Sequence, residues 1–248
     1  MDHAGVSLRL LGAFELRVNG GPVSLPGRTQ RLVALLALRG KVGRSRLAGS
    51  LWPETTENRA LGCLRTAIWR VHQVAPGLVT SYPGTVELDR SAEVDVRRLI
   101  HSSQNVLTAR PGVALTEPDL AAEDGELLPD WDDAWLTEDR ERLRQLRLHV
   151  LEAQAERMLA EGSYGLAMEW ALAAVRADSL RESAHRVVMR IHIAEGNVVE
   201  AQRAFTRCAA ALNHELGLAP SLSTSRLLGS CGAAASGAAL TAASMPGR

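Results

Sequence analysis

Between residues 57 and 74 the side chains sort by chemistry when drawn at about 100° per residue, the pitch of an α-helix. Leu61, Leu64, Ile68 and Val71 form one apolar stripe, and Arg59, Gly62, Arg65, Thr66, Trp69, Arg70 and Gln73 occupy the opposite face. An arginine fork matches guanine O6 and N7, Gln and Thr read other base edges or phosphates, and glycine permits close approach. From residue 28 to residue 70 there are nine basic and two acidic residues, net +7, which adds sequence-independent attraction to phosphate. The chemistry implied is recognition of duplex DNA. A solvated basic helix face is the competing reading, and the surrounding elements must decide between them.

Further groups fall where a duplex backbone would be gripped. Arg28, Thr29 and Gln30 stand at the start of one expected helix, and Arg44, Ser45 and Arg46 at the start of the next, where free N–H groups favour phosphate. Tyr82 and Thr85 lie in an expected hairpin that reaches the minor groove or flanking backbone, although Tyr82 is equally suited to packing. Trp52, beside Leu51, suits a core. Trp69 suits contact with DNA or a neighbouring protomer, or a partly buried position covered by Arg65 or Gln73.

Catalytic constellations are poorer. His149-x-x-Glu152, His185 with His192, and His214-Glu215 offer neither a metal-ligand set nor a nucleophile with base and oxyanion donors. Trp131, Trp135 and Trp170 could form a ligand cage, but Trp131 and Trp135, four residues apart, more simply anchor a helix on a bundle. Gly40-Lys41 lacks the earlier glycine and following hydroxyl of a phosphate-binding loop. Cys63, Cys208 and Cys231 are too few and too scattered for a disulfide framework or CxxC site. No enzyme, metal or cofactor is expected, and neither a signal peptide nor a membrane span.

Elements must hold the arginine face in place, and their order is legible. The 248 residues carry 28 basic and 28 acidic side chains, yet residues 1–98 have 14 basic and 8 acidic (+6) and residues 99–248 have 14 and 20 (−6). All but one of the basic residues are arginine, which a GC-rich coding bias explains as readily as function. Alternation from 6 to 25, broken by Asn19-Gly20-Gly21, predicts a small antiparallel sheet. Helices follow at about 27–39, from a Ser45 cap to the break at Pro53, and from Thr56 to about Val74. A hairpin, 79–82 and 85–88 around Pro83-Gly84, closes the series. Sheet, three helices and hairpin are the order of a winged helix-turn-helix.

After a weakly patterned stretch at 101–125, helices are expected at 138–160, 163–176, 180–195 and 197–213. Glu161-Gly162 recurs as Glu195-Gly196 and Ala167 as Ala201, a 34-residue period of tetratricopeptide type. Ser179-x-x-Glu182 reads as a capping box. The fold class expected is an α+β N-terminal winged helix-turn-helix (1–98) followed by an all-α tetratricopeptide-like helical repeat domain (99–218). Residues 219–248, rich in Ala, Ser and Gly, are expected to be a flexible and dispensable tail.

Several motifs together resemble a known family. They are Leu11-Gly12-x-Phe14-x-Leu16, Gly27-x-x-Gln30-Arg31, Arg46-Leu47-x-x-x-Leu51-Trp52-Pro53, Leu64-Arg65-x-Ala67-Ile68-Trp69-Arg70-Val71 and Val94-Asp95-Val96. Leu128-Pro129-Asp130-Trp131, Trp135-Leu136, Glu141-Arg142-Leu143-Arg144 and Ala177-Asp178-x-x-Arg181-Glu182-Ser183-Ala184-His185 continue the likeness. Residues 6–218 thus resemble the Streptomyces antibiotic regulatory proteins, which join an OmpR-type winged helix to a bacterial transcriptional activator domain. The resemblance implies a cytoplasmic, nucleoid-associated activator that binds direct-repeat double-stranded promoter DNA, as a homodimer on DNA, and recruits RNA polymerase holoenzyme for a specialised-metabolite cluster. The alternative is a ligand- or partner-responsive repressor acting through the helical repeats.

Overall fold

A computed structural model describes residues 5–108 and 125–228. The described residues form two compact units, 5–105 with 125–144, and 106–108 with 145–228.

In the first unit, strands β1 (Val6–Arg9), β2 (Glu15–Val18) and β3 (Gly21–Val23) make the expected antiparallel sheet, with Val6 opposite Val18 and Leu8 opposite Leu16. Alternation puts Leu8 and Leu16 in the core while Arg9 and Arg17 stay in water. Helix α1 (Gly27–Arg39) then packs against α2 (Arg44–Leu51) and α3 (Glu57–Val74). Its Leu32, Leu35 and Leu36, with Leu47 and Leu51 of α2, are buried. Gly43, not Ser45, occupies the N-cap of α2, because the chain leaves a short strand, β4 (Val42–Gly43), straight into the helix.

The hairpin β5 (Val79–Tyr82) and β6 (Thr85–Leu88) turns at Pro83-Gly84 as expected. Two further pairings were not expected: β4 adds to β6 through Val42 and Val86, and β7 (Glu93–Val94) runs parallel to β1. Both strands are only two residues long, too short to carry a period. After β7, α4 (Asp95–Thr108) takes up part of the stretch read as weakly patterned. Asp95 fixes that junction, since its buried Oδ2 accepts from the Leu10 and Leu11 N–H groups at 2.8 and 2.9 Å, while Oδ1 accepts from Val96 at 2.7 Å. Residues 109–124 lie outside the described residues.

Residues 125–144 also complete this unit. Leu127 bridges Leu11, with Gly12 N–H to Glu126 O at 2.8 Å and Leu128 N–H to Leu10 O at 2.9 Å. A side chain on Gly125 would place Cβ 2.4 Å from the Gly12 nitrogen, so only glycine allows this approach. Trp131 stacks on Phe14 at 5.9 Å under the Arg31 guanidinium, and Arg31 Nε donates to Asp133 Oδ2 at 2.7 Å. Trp131 and Trp135 therefore belong to the winged-helix unit, not to the helical bundle, and Trp170 lies in the other unit. No cage forms.

The second unit is built from α5 (Thr137–Ala160), whose last turns it holds, α6 (Tyr164–Ala177), α7 (Glu182–Ala194) and α8 (Val198–Leu216). The 34-residue period is visible bond by bond. Gly162 and Gly196, at φ +75° and +78°, donate to Leu159 and Ile193 at 3.1 and 3.0 Å, and Ser163 and Asn197 donate to Met158 and His192. Ala167 and Ala201 are both fully buried, since small side chains allow the helix pairs to approach. His149 and Glu152 are structural. Glu152 accepts from Arg181 Nε at 2.7 Å and Ser183 Oγ at 2.5 Å, tying α5 to α7.

Glu182 does not close a capping box, because Arg181 occupies the N-cap of α7. Its Oε2 instead accepts from Ser221 N–H, Ser221 Oγ and Thr224 Oγ1 at 2.9, 2.8 and 2.5 Å. Residues 222–228 form a helical turn in which Thr224 is buried and Leu227 joins the core of Val187, Met189 and Ile191. The tail expected from 219 is therefore packed as far as 228. Residues 229–248 lie outside the described residues. Truncation after Leu218 is expected to cost about 2–4 kcal/mol through one half-buried leucine and three lost hydrogen bonds, read as a fall in urea midpoint; an unchanged midpoint would mean that the segment does not pack.

Both carboxylates sense pH. Burial disfavours ionisation of Glu152, but Arg181, Ser183 and His149 outweigh it and hold the group below the ordinary carboxylate range. Glu182 is likewise lowered against burial by Thr224 and Ser221. A lowered folded pKa gives stability that is present above the ordinary carboxylate value of about 4.3 and lost as pH falls through the folded one. Melting temperature is thus expected to drop on acidification below about 4, and less steeply in the Glu152→Gln, Glu182→Gln double variant. Equal slopes would remove both groups as the cause.

Candidate nucleic-acid interface

Helix α3 buries Ala60, Leu64, Ala67, Ile68 and Val71. The stripe differs from expectation by one step: Leu61 is half-buried, and the small Ala60 and Ala67 fill the contact instead. The opposite face remains in water. Arg59, Arg65, Thr66, Trp69, Arg70 and Gln73 are all exposed, with Trp69 at 60%. Trp69 is thus not covered by Arg65 or Gln73. Among the described residues Arg59, Arg65 and Arg70 make no hydrogen bond or ion pair, and neither does Arg46 on α2. Unpaired cations on a rigid helix have no internal bond to break before they meet phosphate. Thr66 Oγ1 is turned back to Gly62 O at 3.2 Å, so only its methyl and lone pairs face outward. A Cβ on Gly62 would lie 3.8 Å from Arg65 Nη2, in ordinary van der Waals contact.

Several other sequence candidates are engaged inside the fold. Arg28 is exposed, but its Nη1 donates to Leu51 O and links the start of α1 to the end of α2. Arg44 Nη1 donates to Ser81 Oγ at 2.5 Å and so ties α2 to the hairpin. Thr29 is a correction. Its side chain is fully buried, facing the core from the first turn of α1, and cannot touch a ligand at the surface. Gln30 donates to Leu25 O at 2.8 Å.

On the hairpin Tyr82 is 43% exposed and carries the Lys41 ammonium 4.8 Å above its ring. A hydrogen bond to Glu87 and that carboxylate's charge raise the Tyr82 hydroxyl pKa, so the ring stays neutral. Thr85 is half-buried in the ladder between Tyr82 and Gly43. Lys41 was missed by sequence reasoning. Its signal was visible, as the single lysine of the chain, but only β4 pairing beside β6 brings it to the wing.

The basic surface is therefore one helix face flanked by a hairpin tip with a cation on its aromatic ring. Such a surface can neutralise phosphates and present guanidinium forks and an indole to base edges. No cluster of three or more His, Cys, Asp or Glu able to hold a metal occurs among the described residues, and none of their helices is long and apolar enough to cross a membrane.

Comparison with known proteins gives three likenesses. Residues 94–230 match the family model of the bacterial transcriptional activator domain. The chain is similar to the regulatory protein AfsR of Streptomyces coelicolor, 28% identical over 213 residues, covering 81% of this chain and 22% of that protein. It spans well under a third of that relative. Among solved structures it is similar to Mycobacterium tuberculosis EmbR in complex with a low affinity phosphopeptide, with a TM-score of 0.73 and 17% identity over 90% of this chain and 64% of that one. The likeness in fold extends across both units.

Proposed function

We propose that this chain, which belongs to the bacterial transcriptional activator domain family, is a sequence-specific activator that binds direct-repeat promoter DNA and recruits RNA polymerase. Its fold, a winged helix-turn-helix followed by tetratricopeptide-like helices, is that of the Streptomyces antibiotic regulatory proteins. In this reading residues 1–98 hold the duplex and residues 99–218 contact the transcription machinery. Two copies sit on adjacent repeats upstream of a specialised-metabolite cluster, in the cytoplasm, without catalysis or cofactor.

The observation that carries the reading is the exposed, unpaired arginine face of α3. Arg59, Arg65, Arg70, Trp69 and Gln73 supply the helix contacts. Arg46 and the remaining donors of Arg28 and Arg44 supply phosphate contacts, and Tyr82 and Thr85 supply the wing. Electrophoretic shift with promoter fragments from the neighbouring genes tests it, together with reporter transcription. Specific retardation that falls steeply with salt, and reporter activity that rises with the protein, are expected. Equal retardation of scrambled duplexes would sink sequence recognition, and a falling reporter signal would make the protein a repressor.

A further inference from the structure

The last turn of α1 and the first turns of α4 and α5 enclose a cavity of about 300 Å³, within the first unit and with no residue of α3 in its lining. Its size is at the lower end of small-ligand pockets. Leu38, Ile100 and Leu143 give it an apolar wall, and Arg39, Arg97, Arg142 and Asp139 supply its charges, Arg39 being paired with Glu138 and Asp139.

Asp139 is 5% exposed. Its Oδ2 lies 3.1 Å from Arg39 Nη2, yet takes no aligned hydrogen bond, so a buried acceptor is left open. Burial raises the Asp139 pKa, partly offset by Arg39, which marks how little solvent this carboxyl has. Arg97 is half-buried and, among the described residues, spends only its Nε on Ala37 O, at 3.3 Å. Arg142 makes no hydrogen bond or ion pair among the described residues.

Ligand classes separate on charge. An inorganic anion would satisfy the arginines and be repelled by Asp139. A simple carboxylic acid would leave the buried acceptor unmet, at the desolvation cost of a buried polar group, and a simple amine would leave Arg97 and Arg142 without an anionic partner. A zwitterion with an apolar body meets all three demands.

We propose that this cavity binds a small α-amino acid with an apolar side chain. Its ammonium donates to Asp139 Oδ2, its carboxylate accepts from Arg97 and Arg142, and its side chain lies against Leu38, Ile100 and Leu143. The site does not depend on the DNA-binding reading and is tested without DNA.

Titration calorimetry of the full chain would use L-leucine and L-phenylalanine, with isocaproate as leucine lacking the amine and isoamylamine as leucine lacking the carboxylate. Saturable binding of at least one amino acid is expected, with both truncated probes at least about tenfold weaker. Asp139→Asn should weaken binding to a similar degree. Because that change also touches Arg39, Arg142→Gln, at an exposed position, serves as the second variant and should weaken binding about tenfold. No saturable heat up to about ten millimolar for either amino acid would overturn the proposal. So would equal affinity for leucine and isocaproate, or unchanged affinity in both variants.

Discussion

Replacing Arg65 by alanine is expected to lower affinity for the specific duplex by about 1–3 kcal/mol and to relax preference at one base position. Arg65 sits near the middle of α3, exposed and unpaired, so the change removes a contact with DNA without disturbing the fold. Arg70, one and a half turns further on, is placed toward the phosphate side. Arg70→Ala should weaken specific and scrambled duplexes alike and reduce the salt slope by about one. Leu64→Ala, on the buried side of the same helix, should instead destabilise the protein by about 2–5 kcal/mol. Binding of the folded variants across a salt series decides the matter. Unchanged affinity in both arginine variants would move DNA contact off this helix and remove the main support for the functional reading.

Arg140→Ala is expected to have the largest effect on stability, about 3–5 kcal/mol. Its Nε donates to Leu127 O at 2.9 Å, and its Nη2 donates to Leu128 O and to Trp131 O, the latter at 2.7 Å. Three carbonyls of an irregular segment depend on one planar fork, and Leu127 and Leu128 are themselves buried. Arg140→Lys should recover little, since an ammonium cannot reproduce the fork. Urea unfolding measures the cost. A loss below about 1 kcal/mol for Arg140→Ala would show that water replaces the guanidinium at those carbonyls.

Elements with a long period were readable in the sequence. The apolar spacing of α1 and α3, the alternation of β1 and β2, and the repeated turns at Gly162 and Gly196 each announce themselves locally. What was not legible depends on partners far along the chain. Asp95 reads as one acid in Val-Asp-Val, yet it serves the backbone of Leu10 and Leu11. Glu182 fits a capping box by spacing, but Ser221 and Thr224 compete for its oxygen and win with three donors. Thr29 looked like a surface hydroxyl because a helix start is usually wet; here Gly27 and Arg28 do stay exposed, but Thr29 faces the core. At the interface itself the arginine face was legible because it needs only one helix, whereas Lys41 over Tyr82 needed β4, two residues that no pattern could announce.

The pairing of 125–128 with the chain after β1 sets an order on synthesis. A sheet edge at Leu10–Gly12 waits for residues more than a hundred positions later, and the Arg140 fork that fixes them comes later still. A nascent chain stopped after the hairpin has made every helix and strand of the winged helix-turn-helix except β7, yet it lacks the segment that bridges Leu11 just past β1. Non-local contacts of this kind are slow to form and leave edges exposed while they wait. The first unit is therefore complete only once residue 144 has been made, and termination before residue 125 leaves the backbone of Leu10 and Gly12 without its Leu128 and Glu126 partners.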